Sequence, residues 1–349
     1  MVSLKQNKKN IFNGIFLILV FVLTFYGLFK NQEIPQVVAS LSMAKTSYLW
    51  VGIVMVVIFV CSESVILHYL LRKLDTKVSF TSCIKYSFIG FFVSCITPSA
   101  GGGQPAQIYY MKKDNIDLPI STLIMMIVTV GYKMVLVVIG VFLLCFQQNL
   151  LEKYMTPVAN FFLYLGMVLT VIGIGSLLIF IFQPKLAKWL VELGQTILLR
   201  LHIIKSKKQW VSESMEQYHE AALFFHSNWK VFLNVFYLSV FQRVTLFYVT
   251  YLVYRSFGLH GTSAYEIVIL QAVISLSVDM LPLPGGMGAS ENLYMELFLP
   301  IFGTQFLFPS MLLSRGISYY ALMFISAIVT CYAHIRVMRR EKTKGKENL

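Results

Sequence analysis

Glu63, Lys133, Arg243, Asp279, Glu291 and Arg315 stand within, or at the edge of, long apolar segments. On insertion scales a charge at such a place costs about 2.5–3.5 kcal/mol, so each calls for a partner or a wet cavity. Lys133 and Arg243 fall well inside their segments and suit an anionic group; a phosphate is the natural guest for a guanidinium that can donate two parallel hydrogen bonds. Glu63 and Glu291 suit a cationic group or a proton. A competing reading is purely structural: Asp279 paired with Arg243 or Arg315 would only fix helix positions.

Two Gly/Pro-rich stretches interrupt hydrophobic segments: T-P-S-A-G-G-G-Q-P-A-Q at Thr97–Gln107 and L-P-L-P-G-G-M-G-A-S-E at Leu281–Glu291. Glycine permits a left-handed backbone and close approach, and proline stops a helix by removing a donor. Each stretch therefore reads as the end of one short helix and the start of another. Irregular backbone at membrane depth is tolerated only when buried in protein or lining a cavity. The helix that follows would aim N–H groups and a positive dipole end at that cavity, a setting for phosphate. Pro98, Gly101, Gly102, Gly103, Gln104 and Gln107 from the first stretch, and Pro284, Gly285, Gly286, Gly288 and Glu291 from the second, join Lys133, Arg243, Asp279 and Arg315 as the expected cavity residues. Tight helix packing without a ligand is the rival explanation of the glycines.

Other chemistries lack their residues. No Lys-Ser/Thr follows the glycines, which argues against a nucleotide loop. The histidines show no metal spacing, and the cysteines at 61, 83, 95, 145 and 331 show no paired spacing, so neither a metal, a cofactor nor a disulfide framework is expected.

The elements that must position these residues are membrane helices. The chain of 349 residues is 57% hydrophobic and 13% charged, far more apolar than one water-soluble core requires. Ile11–Phe29, Tyr48–Leu71, Leu118–Phe146, Asn160–Phe182, Trp229–Tyr254 and Met311–Ile335 are long enough to span a bilayer. Ile84–Ile96 and Ile267–Leu281, each followed by a Gly/Pro loop and a second apolar piece (Ile108–Met111 and Asn292–Phe302), read as hairpins that enter and return on the same side. With the N-terminus inside, the outer segments carry only Lys30, Lys45, Lys153 and Arg255, while the basic clusters around Lys8, Arg72, Lys112, Lys205 and Arg339 lie inside. That bias places both termini in the cytoplasm and makes the hairpins enter from opposite faces.

At one constant offset Pro98 aligns with Pro282, Gly101 with Gly285, Gly102 with Gly286, Tyr110 with Tyr294 and Met111 with Met295. The expected architecture is thus an all-α integral membrane protein: a single membrane domain of six full spans and two opposed re-entrant hairpins, built as an inverted repeat of residues 11–146 and 160–335. Residues 183–228 form a cytoplasmic linker whose basic amphipathic pattern from Trp189 to Leu201 suits a membrane surface or a solvated helix. Residues 336–349 read as a disordered basic tail. The net charge of +13 points to anionic lipid rather than nucleic acid, because its basic residues sit in short loops between spans.

The two loop motifs carry a family resemblance. I-T-P-S-A-G-G-G-Q-P-A-Q-I-Y-Y-M (Ile96–Met111) and P-L-P-G-G-M-G-A-S-E (Pro282–Glu291) resemble, in order, the signatures of the flippase-like transmembrane domain of lysylphosphatidylglycerol synthase, the multiple peptide resistance factor, and its stand-alone relatives. The resemblance implies movement of aminoacylated phospholipid between leaflets of a bacterial cell membrane and resistance to cationic peptides. The full synthase, a phosphatidylglycerol lysyltransferase, also carries a cytosolic domain that uses aminoacyl-tRNA. No segment after Ile335 suits such a domain, so a stand-alone translocase is expected, served by a separate synthase subunit. A transferase acting on phosphatidylglycerol, a transporter of a small anion and a non-transporting partner of a separate synthase are the alternatives. Many relatives place Glu and Arg in the first motif where this chain has Gln104 and Gln107, which points to a different lipid.

Overall fold

The computed structural model describes residues 34–183 and 210–347, with positions 185, 186, 189, 193 and 196 between them. The expected first span, Ile11–Phe29, and most of the linker lie outside these residues. The described chain is helical: α1 (Ile34–Ser42), α2 (Thr46–Lys73), α3 (Phe80–Ile96), α4 (Gly103–Lys113), α5 (Leu118–Phe146), α6 (Gln148–Tyr154), α7 (Pro157–Phe182), α8 (Trp210–Ser227), α9 (Trp229–Ser256), α10 (Ala264–Val278), α11 (Ala289–Leu297), α12 (Leu299–Arg315), a π-helical turn (Gly316–Ala321) and α13 (Leu322–Glu347).

Among the described residues five stretches are long and apolar enough to cross a membrane: α2, α5, α7, α9 and the run Leu299–Val337. At 1.5 Å per residue, a helix of 28 residues such as α2 reaches about 42 Å, beyond the roughly 30 Å hydrocarbon core. The protein is a multi-pass membrane protein. By the same measure α3, with 17 residues, and α10, with 15, reach only about 22–26 Å. The last crossing starts earlier than Met311: the helix runs from Leu299, with a break at Gly303 (φ 63°), a proline at 309 and a π-turn that absorbs one more irregularity. Downstream, α13 continues through the basic segment to Glu347, where disorder was expected; its Arg, Lys and Glu residues are good helix formers.

Local signals explain the starts. Ser79 Oγ accepts from the Ser82 N–H and Thr156 Oγ1 from the Ala159 N–H. Ser263 and Glu266 cap each other reciprocally at the start of α10. Pro119 and Pro157 occupy first-turn positions where no amide is needed.

Helices α3 and α4 form one hairpin and α10 and α11 another. Lys85, near the start of α3, pairs with Asp114 at the end of α4, and the Tyr86 hydroxyl donates to the same carboxylate at 2.5 Å. The base of this hairpin therefore lies beside the start of α5. At the second hairpin, Glu266 near the start of α10 accepts from Lys153 at 3.2 Å, and Glu296 near the end of α11 accepts from Thr156 at 2.6 Å. Lys153 and Thr156 follow the end of α5, so the two bases sit at opposite ends of that long helix. The hairpins point at each other.

Helices α2 and α9 run antiparallel and pack along their length: the Lys45 N–H donates to Ser256 O at 2.9 Å at one end, and Asn234 Nδ2 to Tyr69 Oη at 2.9 Å toward the other. Helix α3 packs on α2 and α13, and α10 on α9 and α5. Helix α7 seals against α10 at Gly166, where an added Cβ would strike Leu276 O and lie 2.8 Å from Ser277 Cα. The buried apolar residues gather around each hairpin, with Ile66, Tyr86, Ile89 and Leu123 at the first and Leu136, Ile267, Leu270 and Tyr294 at the second. Outward faces remain apolar: Trp50 and Val54 on α2, Phe161 and Ile172 on α7, and Phe324 and Ile328 on α13 are exposed, as lipid contact requires.

Candidate functional site

The hairpin tips meet. Pro98 and Pro284 form an antiparallel backbone bridge, Ser99 Oγ donates to Leu281 O at 3.1 Å, and the Tyr319 hydroxyl donates to Cys95 O at 2.8 Å. Beside this contact lies a cavity of about 260 Å³, walled by both hairpins, α2, α5, α9 and the π-turn. Three helices turn a stripe of the same spacing toward it: Met125, Val128, Thr129 and Tyr132 on α5; Arg243, Leu246, Phe247 and Thr250 on α9; Gln271, Ile274, Ser275 and Val278 on α10. Each set is an i, i+3, i+4, i+7 face, the one surface a helix can present to a single neighbour.

The two loops reach their shapes differently. In the second, Gly285, Gly286 and Gly288 have φ of 56°, 66° and 84°, the left-handed backbone that glycine adopts at least cost. In the first, the left-handed residues are Ser99 (φ 51°) and Ala100 (φ 53°), and none of Gly101, Gly102 and Gly103 is left-handed. Those glycines allow close approach instead: a Cβ on Gly103 would strike Ser94 Oγ and come within 2.7 Å of Gly90 O. Thr97 Oγ1 ties the turn by accepting from the Gly102 N–H at 3.0 Å and donating to Val93 O at 2.8 Å.

At the first hairpin two glutamines reach other helices. Gln107, 3% exposed, donates through Nε2 to Glu63 Oε1 at 2.6 Å, and Gln104 donates to Thr129 Oγ1 at 2.8 Å. At the second, Glu291 is 1% exposed; it accepts from Arg315 Nε at 2.9 Å, from the Gly288 N–H at 2.7 Å and from Ser290 Oγ at 2.9 Å. Arg315 also donates to Gly285 O at 3.0 Å. The start of α11 was expected to hold a phosphate; Glu291 already supplies an anion to its Gly288 amide.

The charge pairing also departs from expectation. Asp279 pairs with Lys133, whose ammonium lies 3.0 Å from Met280 Sδ, and not with Arg243 or Arg315. Lys133 is neutralised and does not line the cavity, because it sits about 100° around α5 from the cavity-facing Tyr132. Arg243 does line it. Its guanidinium lies 4.4 Å from the Tyr132 ring centroid and 5.7 Å from that of Phe59, and its buried Nε has no hydrogen-bond partner.

Of the residues expected at the site, Gln104, Gln107, Arg243, Asp279, Gly285, Gly286 and Arg315 face the cavity. Pro98, Gly101, Gly102, Gly103, Pro284, Gly288 and Glu291 build the loops behind it. Tyr132, Phe59, Thr129 and Gln271 were absent from that set although they line the cavity. Their signal was a polar or aromatic residue on a shared helical stripe, legible only once the facing side of each helix is known.

A family model described as the lysylphosphatidylglycerol synthase TM region matches residues 11–326. No curated protein matches the chain.

Proposed function

This chain belongs to the family of the lysylphosphatidylglycerol synthase transmembrane region, and from that premise we propose that it is a flippase-like translocase. The head group of an anionic or aminoacylated phospholipid enters the cavity between the hairpin tips while its acyl chains stay in the bilayer. The observation that carries this reading is Arg243: a stacked cation facing the cavity with an unpartnered Nε, beside two other cations already neutralised by carboxylates. A phosphodiester supplies the acceptor that Arg243 lacks, and stacking on Tyr132 and Phe59 holds the guanidinium in place.

In this reading the hairpins are re-entrant and belong to an inverted repeat, with both termini in the cytoplasm of a bacterial cell. The repeat is supported by antiparallel α2 and α9, by hairpin bases at opposite ends of α5 and by tips that meet across the Pro98–Pro284 bridge. Rocking of one half against the other would expose the cavity to each leaflet in turn. Delivering an aminoacyl lipid to the outer leaflet reduces negative surface charge there, which accounts for resistance to cationic peptides. A separate synthase that makes such a lipid is the partner this role calls for.

The test is a leaflet-resolved assay of fluorescent phosphatidylglycerol and its lysyl derivative in proteoliposomes. Wild type is expected to move one of them, and Arg243→Ala to lose at least about tenfold in rate, the loss of one charged hydrogen bond worth about 1.5–3 kcal/mol. Uptake of a small anion without lipid movement, or lysyl transfer from charged tRNA by the purified chain, would replace the reading.

A further inference from the structure

Six acidic or basic side chains meet around the tips, and four of them are spoken for: Lys133 with Asp279 and Arg315 with Glu291. Glu63 and Arg243 remain, and neither joins an ion pair among the described residues. Both line the cavity.

Their surroundings differ from those of the locked pairs. Glu291 and Asp279 each receive a charged donor. Glu63 receives the neutral Gln107 amide at 2.6 Å. A primary amide can donate to a carboxylate or, turned over, accept from a carboxylic acid, so it serves both protonation states. The other groups facing Glu63 are Gln242 and Arg243 from α9 and Tyr132 from α5. Helix α3 contributes Gly90 against Gln107, and its lysine, Lys85, is held by Asp114 at the distant hairpin base.

With Glu63 ionised, its charge opposes that of Arg243, and an arriving phosphate meets a carboxylate across a small cavity. With Glu63 protonated, Arg243 is left uncompensated and the cavity attracts an anion. We infer that Glu63 is a proton site coupled to anion binding: a phosphodiester settles on Arg243 as Glu63 takes up one proton from cavity water, and its departure releases that proton. This rests on the translocase reading for the source of the phosphodiester. Coupling is reciprocal, so whatever favours the protonated acid favours the bound anion.

The test is calorimetric titration of the purified full chain with dihexanoyl-phosphatidylglycerol and, separately, with dimethyl phosphate, neither of which titrates near neutral pH. Parallel runs in buffers of different ionisation enthalpy count protons. For wild type we expect uptake approaching one proton per ligand and, where Glu63 is ionised in the free protein, a Kd that weakens toward ~10-fold per pH unit. Glu63→Gln, which mimics the neutral acid, should bind with a Kd flat to within about twofold and no proton uptake, while Arg243→Ala should lose binding. Binding without proton uptake in wild type, uptake that persists in Glu63→Gln, or no binding of either probe would each overturn the coupling. If dimethyl phosphate binds as tightly as the lipid with the same pH slope, the proton site stands and the lipid reading falls. If the lipid alone binds, without a pH slope, the lipid reading stands and the coupling falls.

Discussion

Removing Arg315 tests the second hairpin most directly. Its side chain is 14% exposed and that of its partner Glu291 2%, so the pair is nearly dry. Arg315→Met keeps the length and packing of the side chain but leaves the buried Glu291 carboxyl with only the Gly288 amide and the Ser290 hydroxyl as donors. It also removes a donor from Gly285 O. Breaking a buried pair from one side costs about 3–5 kcal/mol, and the lost carbonyl contact places this variant at the upper end. Glu291→Gln keeps an acceptor for Arg315, so about 3 kcal/mol is expected. The double variant leaves neither charge stranded and should cost at least about 2 kcal/mol less than the sum of the singles. The assay is thermal unfolding of the purified chain in detergent, followed by tryptophan fluorescence and by labelling of buried Cys95. At roughly 2 °C per kcal/mol for a chain of this size, Arg315→Met should melt about 8–10 °C below wild type. A shift under about 2 °C, or single effects that add to within about 0.5 kcal/mol, would refute the view that these side chains hold the tip together.

Gly285→Ala places a methyl group on the Tyr319 ring at a backbone with φ of 56°, so it should lose the Tyr319–Cys95 hydrogen bond and cost about 2–4 kcal/mol; Gly285→Ala combined with Tyr319→Ala should recover part of that, read by the same melting curves. Pro98→Cys with Pro284→Cys, in a background without native cysteines, should cross-link rapidly under mild oxidation, because bridged residues lie about 4.5–5.5 Å apart between Cα atoms. Asn115→Cys and Thr262→Cys, one at each hairpin base, should react with impermeant thiol reagent from opposite faces of sealed vesicles; labelling from one face alone would contradict opposed hairpins. Lys153→Ala breaks an ion pair in which the lysine is 58% exposed, and stability should change by less than about 1 kcal/mol on denaturation.

Much of the architecture is legible from composition and patterning alone. Long apolar runs with few charges must be membrane helices, since the bilayer leaves backbone amides no other partner, and proline beside glycine must interrupt them. Helices α2, α5, α7, α9 and both loops fall where those rules put them, and the uneven spread of lysine and arginine among the loops already implied hairpins facing each other. Element ends were less legible. Helix α10 stops at Val278, four residues before the first proline at 282, while α4 starts at Gly103, earlier than its apolar piece suggests.

By itself, then, the sequence marked the long apolar runs, the two Gly/Pro interruptions and the side chains that carry charge among them. Only the tertiary structure decided the pairing: that Asp279 belongs to Lys133, that Glu291 takes both Arg315 and the start of its own helix, and that Glu63 meets a glutamine. The physical reason is angular. A helix turns about 100° per residue, so Tyr132 faces the cavity and its neighbour Lys133 does not. Which face looks inward depends on how α5 rotates against α9 and α10, a property of the packed bundle that no single segment encodes.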